Sequence, residues 1–204
     1  FDYTMMTMVA CDDPGLVVMP THRVVKWLPA DALSAFRDRA HEVFDIEEIG
    51  DPDSLRARLA ASGRGAIAIS LRGDRAHLLL QLRDRAALDA ATPDSPREVR
   101  DLDVSVLHTL IFARIFHLKA DEIRRGGNIA YTIDAAGALE AVRSGSAAGA
   151  FLMNAPTVAD VERVSDAGAT MPEKSTYFFP KLLTGLVMNP LTDNHPVENR
   201  AETA

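Results

Sequence analysis

The run Pro20-Thr21-His22-Arg23 sets a hydroxyl, an imidazole and a guanidinium side by side, just beyond a strand-like segment. Functional side chains often sit where a strand gives way to a loop. Arg23 could clamp a phosphate or carboxylate with two parallel N–H donors. His22 could move a proton or donate a hydrogen bond to an anion, and Thr21 adds a hydroxyl. Spacing alone favours a plainer alternative, in which Arg23 pairs with a local acid and His22 packs at a strand end.

A second run, Met171-Pro-Glu-Lys-Ser-Thr-Tyr-Phe-Phe-Pro-Lys181, gathers Lys174, Ser175, Thr176, Tyr177 and Lys181 between Pro172 and Pro180. Two lysines and three hydroxyls suit a small anion, and the prolines lower the entropy cost of ordering the segment. Phe178 and Phe179 can anchor it to a core. An ordered connector with solvated lysines is equally compatible with the composition. Gly168, Lys174 and Ser175 also have the spacing of the phosphate-cradling loop G-x-x-x-x-G-K-[ST]. Glu173 stands where that loop has its second glycine, and Pro172 has no backbone N–H to offer, so the match is rejected.

Other chemistry-bearing residues carry less. Asp12-Asp13, and Glu47-Glu48 with Asp51 and Asp53, are acid clusters that could hold magnesium. Asp51 and Asp53 sit at a helix start, where acids are expected anyway, so no metal site is expected. His108 lies in an apolar helix and reads as a hydrogen-bonded core residue. Cys11 has no neighbouring histidine and reads as inert.

These residues need elements to position them. Residues 3–10 and 16–19 read as β, separated by the turn Asp12-Asp13-Pro14-Gly15. A helix is expected from Leu28 to about Val43, with Leu33, Phe36, Ala40 and Val43 at helical spacing. Phe44–Ile49 reads as a strand, and Asp51-Pro52 opens a helix that stops at Ser62-Gly63. Gly65–Leu71 and Ala76–Leu82 read as a hairpin around Arg72-Gly73-Asp74-Arg75. The charged, proline-bearing stretch Ala91–Arg100 is the expected boundary between a subdomain of residues 1–100 and one of residues 101–190. A helix from Val104 to about Leu118 follows, then a shorter one from Ala120. From Asn128 the order is strand (to Ile133), helix (capped by Asp134), strand (Ala148–Met153), helix (Thr157 to about Ala167). This βαβα unit suggests two parallel neighbouring strands. Lys181–Met188 is the expected last strand, and residues 191–204 a polar tail. The fold class is α+β, with mixed sheets and flanking helices.

Composition bounds the function. The chain has 204 residues, 47% of them hydrophobic and 25% charged, with a formal net charge of −7. These are globular values. A surface that tracks a phosphate backbone normally shows a basic face, and none is visible, so nucleic acid is not expected as a partner of this part. The single cysteine rules out an internal disulfide or a thiolate zinc cluster and fits the cytoplasm. The apolar stretch Val104–Leu118 contains His108, Arg114 and His117, so no membrane span is expected. The sequence opens at Phe1 inside a β-like run, which suggests that something upstream is missing.

Several of these segments resemble one family. Asp13-Pro-Gly-Leu-Val-Val-Met-Pro-Thr-His-Arg23 is similar to its D-P-G-L-x-x-L-P-T-H-R run. Asn128-Ile-Ala-Tyr131 and Ala150-Phe-Leu-Met-Asn154 resemble two later segments, and Met171 to Leu186 its M-P-x-K-S-T-Y-F-x-P-K-L-x-x-G-L signature. The family is an uncharacterised bacterial and archaeal one, number one thousand and fifteen among domains of unknown function, whose members are sometimes called ParB-like. Its longer members carry an upstream D-G-H-H-R-Y stretch similar to the phosphate-contacting element of ParB, sulfiredoxin and the archaeal free-serine kinases. Glu173 departs from the proline common there, and an acid beside Lys174 weakens an anion site.

The resemblance implies the C-terminal part of an enzyme that uses a nucleotide, with magnesium, or another phosphorylated small molecule. Serine-type phosphotransfer is the expected chemistry, completed by the upstream domain. Thr21, Arg23, Lys174, Ser175, Thr176, Tyr177 and Lys181 would bind the anion and His22 would act in acid–base chemistry. The alternative is a non-catalytic, ParB-like, ligand-gated scaffold. The enzyme reading requires Thr21–Arg23 and Lys174–Lys181 to meet in one cleft.

Overall fold

The computed structural model describes residues 6–118, 127–183, 185–186 and 188. It divides into two compact units, Val18–Phe178 and a second that takes residues 1–17 and 179–204. In chain order the elements are β1 (Val17–Met19), β2 (His22–Val25), α1 (Ala30–Ser34), α2 (Phe36–His41), β3 (Phe44–Ile49), α3 (Pro52–Ser62), β4 (Ala66–Leu71), β5 (His77–Leu82), α4 (Arg85–Ala91), α5 (Arg97–Arg100) and α6 (Asp103–Val106). The π-helix Leu107–Ile115 continues α6, followed by β6 (Ile129–Thr132), α7 (Ala135–Arg143), β7 (Gly149–Met153), α8 (Val158–Asp166) and β8 (Tyr177–Phe179).

Six strands form one sheet in the order β3-β5-β4-β7-β2-β6, while β1 and β8 make a separate two-stranded sheet. Every neighbouring pair in the large sheet is antiparallel. Side chains of a strand alternate between faces. Val25, Ile67, Ile69 and Phe151 face a core closed by α1, α2, α4, α6 and the π-helix. Ala66, Ala68, Ala150 and Leu152 face a second core under α3 and α7. With both faces covered, β4 and β7 are buried along their whole length; β7 is an unbroken apolar run and β4 is apolar except for Ser70. The class is α+β, as expected from the sequence.

Local chemistry explains the helix ends. Asp51 caps α3 by accepting the Ser54 N–H at 2.7 Å. Asp134 caps α7 through the Gly137 N–H, and α8 opens with a reciprocal Thr157–Asp160 capping box. The second acid group considered for metal is used in this way or paired: Asp51 caps α3, Glu47 pairs with Arg58, Glu48 with Arg37 and Asp53 with Arg56, while Asp13 accepts the Gly15 N–H at 2.7 Å.

Several expectations need correction. Residues 6–10 carry no strand, and His22 and Arg23 lie inside a strand rather than beyond one. The helix expected over Leu28–Val43 breaks at Ala35, where the Ser34 hydroxyl takes the Asp31 carbonyl at 2.8 Å. β6 and β7 are not neighbours, because β2 lies between them and runs antiparallel to both. The stretch 91–100 does not divide the sheet, since β4 before it pairs with β7 after it. Among the described residues the last strand is β8, and residues 181–183, expected to open a strand, carry none. The helix expected from Ala120 and the tail from 191 lie outside the described residues. Among the described residues no helix is long and apolar enough to cross a membrane.

Candidate functional site

Arg23 is among the largest fully buried side chains of the described residues. It sits mid-sheet in β2, opposite Tyr131 of β6 and Phe151 of β7. Its guanidinium donates to the Thr21 carbonyl and, at 3.1 Å, to the Lys174 carbonyl. The Tyr131 ring lies 5.4 Å from its central carbon, a cation–π distance. Its Nε–H has no acceptor, and the buried Thr21 hydroxyl has no partner either. Among the described residues no carboxylate pairs with Arg23. Burial pulls its pKa down to about 10, with Tyr131 acting in the opposite sense.

His22 points the other way, as neighbouring residues of a strand must. Its Nδ1 accepts the Met153 N–H at 3.3 Å. Burial first, then the nearby Arg23 charge, depress its pKa to about 4 against the opposing pull of Asp134. At neutral pH the imidazole is therefore uncharged, with Nε2 carrying the proton. His108, on the π-helix, stacks on Phe112 with ring centroids 5.8 Å apart and leaves Nε2 without a partner. Burial and Arg23 hold it near 4 as well.

Of the second group, the Lys174 backbone reaches Arg23. Lys174 is exposed and takes a positive φ of 56°, which turns its carbonyl inward to the guanidinium while its side chain stays at the surface. Ser175 is buried and donates to the Pro172 carbonyl at 2.6 Å. Thr176 and Tyr177 are half-buried, with Tyr177 opening β8. Lys181 belongs to the second compact unit and is exposed. Arg23 thus meets the Lys174 backbone, and of the two groups expected to share one cleft only Ser175 lines the neighbouring one.

Beside this contact lies a cleft of about 270 Å³. Its largely apolar wall is built where β7 ends, at Asn154–Thr157, where α3 hands over to β4, at Gly63-Arg64, and where α6 begins, at Asp101–Val104; Met171 and Ser175 close it. Asn154 is held by donating to the Leu59 carbonyl at 2.9 Å. Asp160, buried, accepts from the Thr157 N–H and hydroxyl and pairs with Arg64 and Arg163. Burial raises its pKa, but those bonds and the Arg64 charge outweigh it, and the net direction is down. Asp103 Oδ1 accepts the Gly65 N–H at 2.6 Å. Burial pushes its carboxyl up to about 6, opposed by that N–H and Arg64 and reinforced by Asp160. A carboxyl poised near neutrality in a cleft is a common mark of a functional group.

Sequence reasoning missed Arg64, Asp103, Asn154 and Asp160. Thr157 was legible as a cap, but nothing in the spacing connects it to residues 64 and 103. Among the described residues no group of three or more His, Cys, Asp or Glu side chains is arranged to hold a metal ion.

A largely antiparallel six-stranded sheet between two helical layers, with a metabolite-sized cleft at the end of β7, defines the class of protein. The chain belongs to the family described as Protein of unknown function (DUF1015), whose model matches residues 1–105. No curated protein matches the sequence. The fold is similar to that of free serine kinase in complex with AMP, with a TM-score of 0.45 and 13% identity over 84% of this chain and 57% of that one. It is also similar to a conserved hypothetical protein from Pyrococcus furiosus, with a TM-score of 0.47 and 12% identity over 84% of this chain and 60% of that one. The chain therefore spans between 57% and 60% of these structures.

Proposed function

We propose that this chain is part of a small-molecule enzyme that works with a phosphorylated ligand, a nucleotide in the whole protein. The transfer would be of a phosphoryl group to a hydroxylated metabolite of the serine type. One observation supports the reading above others: a fully buried, carboxylate-free arginine grips the Lys174 carbonyl and so fixes the segment that closes the cleft. Holding a buried cation without a counter-charge costs several kcal/mol, a cost that a purely structural strand would avoid with an apolar side chain. Arg23 is then a positioning residue. Lys174 supplies positive charge for the anion, with Thr21, Ser175, Thr176 and Tyr177 as hydroxyl partners. His22 takes part as a neutral hydrogen-bond donor.

The nucleotide is implied by the family resemblance of the sequence. Of the cleft's carboxylates, Asp101 and Asp160 are tied to arginines, so among the described residues Asp103 is the one carboxylate left to meet a magnesium ion brought by a phosphorylated ligand.

Thermal shift of the full-length protein with AMP, ADP, ATP and inorganic phosphate tests the reading. At least one should raise Tm by several degrees, as a ligand at about a hundred times its Kd adds about 2.7 kcal/mol. Lys174→Ala should abolish that rise and leave the unliganded Tm within about a degree, because its ammonium is exposed. A well-folded sample that none of the four stabilises would point instead to the ligand-gated scaffold.

A further inference from the structure

We infer that Asp103 receives the hydrogen-bond donor of the cleft's ligand, so that the cleft selects a small molecule carrying an amine or a hydroxyl. This deepens the enzyme reading and rests on it.

Three carboxylates line the cleft: Asp101, Asp103 and Asp160. Asp101 pairs with Arg85 and with Arg97. Asp160 is saturated by two guanidiniums and by Thr157. Asp103 differs. Its Oδ1 takes one backbone N–H, and Oδ2 takes no hydrogen bond from any described residue. No cation pairs with it among the described residues, although Arg64 lies in the same wall.

The position is also built. Asp103 is the first residue of α6, and its bond to Gly65 ties that helix start to the strand β4. Gly65 takes a positive φ of 77°, and a Cβ there would meet the Leu82 Cβ at 3.2 Å and Gln81 Nε2 at 3.3 Å. Glycine thus suits this position by its backbone conformation and its close approach to Gln81 and Leu82, and its N–H fixes Oδ1 while Oδ2 takes no bond from a described residue. Burial has raised the carboxyl to about 6, so near neutral pH it is an anion that gains from a donor. The surrounding wall is largely apolar, and a lower local dielectric strengthens such a bond. The volume, about 270 Å³, admits a metabolite rather than a polymer.

Ethanolamine and glycerol serve as probes, with tetramethylammonium as a cation that has no N–H. Millimolar ethanolamine or glycerol should raise the Tm of the full-length protein at pH 8, and tetramethylammonium should not. The response should weaken at pH 5, where the carboxyl is mostly protonated. Asp103→Asn keeps the Gly65 acceptor and the shape, and should weaken the apparent affinity at least ten-fold. If that variant folds poorly, the carbon-13 shift of the Asp103 carboxyl in the native protein gives the same information, since ethanolamine should lower its midpoint. Equal stabilisation of native and Asp103→Asn protein would overturn the assignment. So would no response to either donor probe while AMP or phosphate still stabilises, which leaves the enzyme reading intact. Silence from both the donors and the anions would remove both.

Discussion

Arg23 decides more than any other side chain. In the sequence it could clamp an anion, and its spacing favours pairing with a local acid; in the fold it is wholly buried and gives two N–H groups to carbonyls. Removing it orphans those carbonyls and leaves a cavity between β6 and β7. Arg23→Ala should therefore cost about 3 kcal/mol, measured as a shift in the urea midpoint at unchanged slope. The amide of Ser175, which donates to the Pro172 carbonyl, should lose hydrogen-exchange protection beyond that global change, because the Lys174 anchor is gone. Protection that falls only in step with global stability would show that the segment holds itself.

At the scale of elements, β7 matters because three structures meet on it. β4 and β2 flank it, and its last residues pass directly into the cleft wall. Gly149 starts it, paired with Val25 on one side and Leu71 on the other. A Cβ there would meet Leu71 Cδ2 at 3.1 Å, Leu28 Cδ1 at 3.2 Å and Phe151 Cε2 at 3.2 Å. Gly149→Ala gains chain entropy in principle, but three tight contacts inside a closed core outweigh it. The expected result is a loss of about 1–3 kcal/mol in thermal or urea melts. A stabilised variant would show that this core has slack. The π-helix packs against the same strand, with Phe112 edge-on to Phe151 at 4.9 Å. It carries His108 close enough to Arg23 for the guanidinium to depress its titration.

For the molecule as a whole, pH dependence sums groups of opposite sign. His22 and His108 titrate near 4 when folded and near 6.5 when unfolded. Between these values the unfolded chain binds more protons, so stability falls as pH drops through the window, by up to about 1.4 kcal/mol per unit for each buried histidine. Asp103 runs the other way. Its folded value near 6 lies above its ordinary 3.8, so the folded state holds the extra proton and gains stability as pH falls through that range. The two histidines outweigh it, and urea unfolding should show net destabilisation from pH 6.5 to 4. Asp103→Asn removes the opposing contribution and should steepen that slope. An unchanged slope would contradict a buried, titrating Asp103.

Much of the fold was legible. Phe44–Ile49 and the hairpin around Gly73 follow from β-like apolar runs broken at a turn. α3 and α7 follow from Asp51 and Asp134 caps and from glycine stops. These signals are local, carried by residues a few positions apart. The strand at His22–Val25 was not legible, because burying an arginine and a histidine contradicts every composition rule for a central strand. Its partners, at Tyr131 and Phe151, are more than a hundred residues away.

By itself, then, the sequence determined the hairpin, β3 and several helices with their caps, and it singled out Arg23 and Lys174 as chemistry-bearing residues. Only the tertiary structure decided that β2 enters between β6 and β7, that Arg23 and His22 face opposite cores, and that Arg64, Asp103 and Asp160 share a wall. Caps and turns are settled by the few groups within reach of one chain segment. Which strands lie side by side depends on how apolar faces distant in sequence are buried together, and only the packed sheet contains that information.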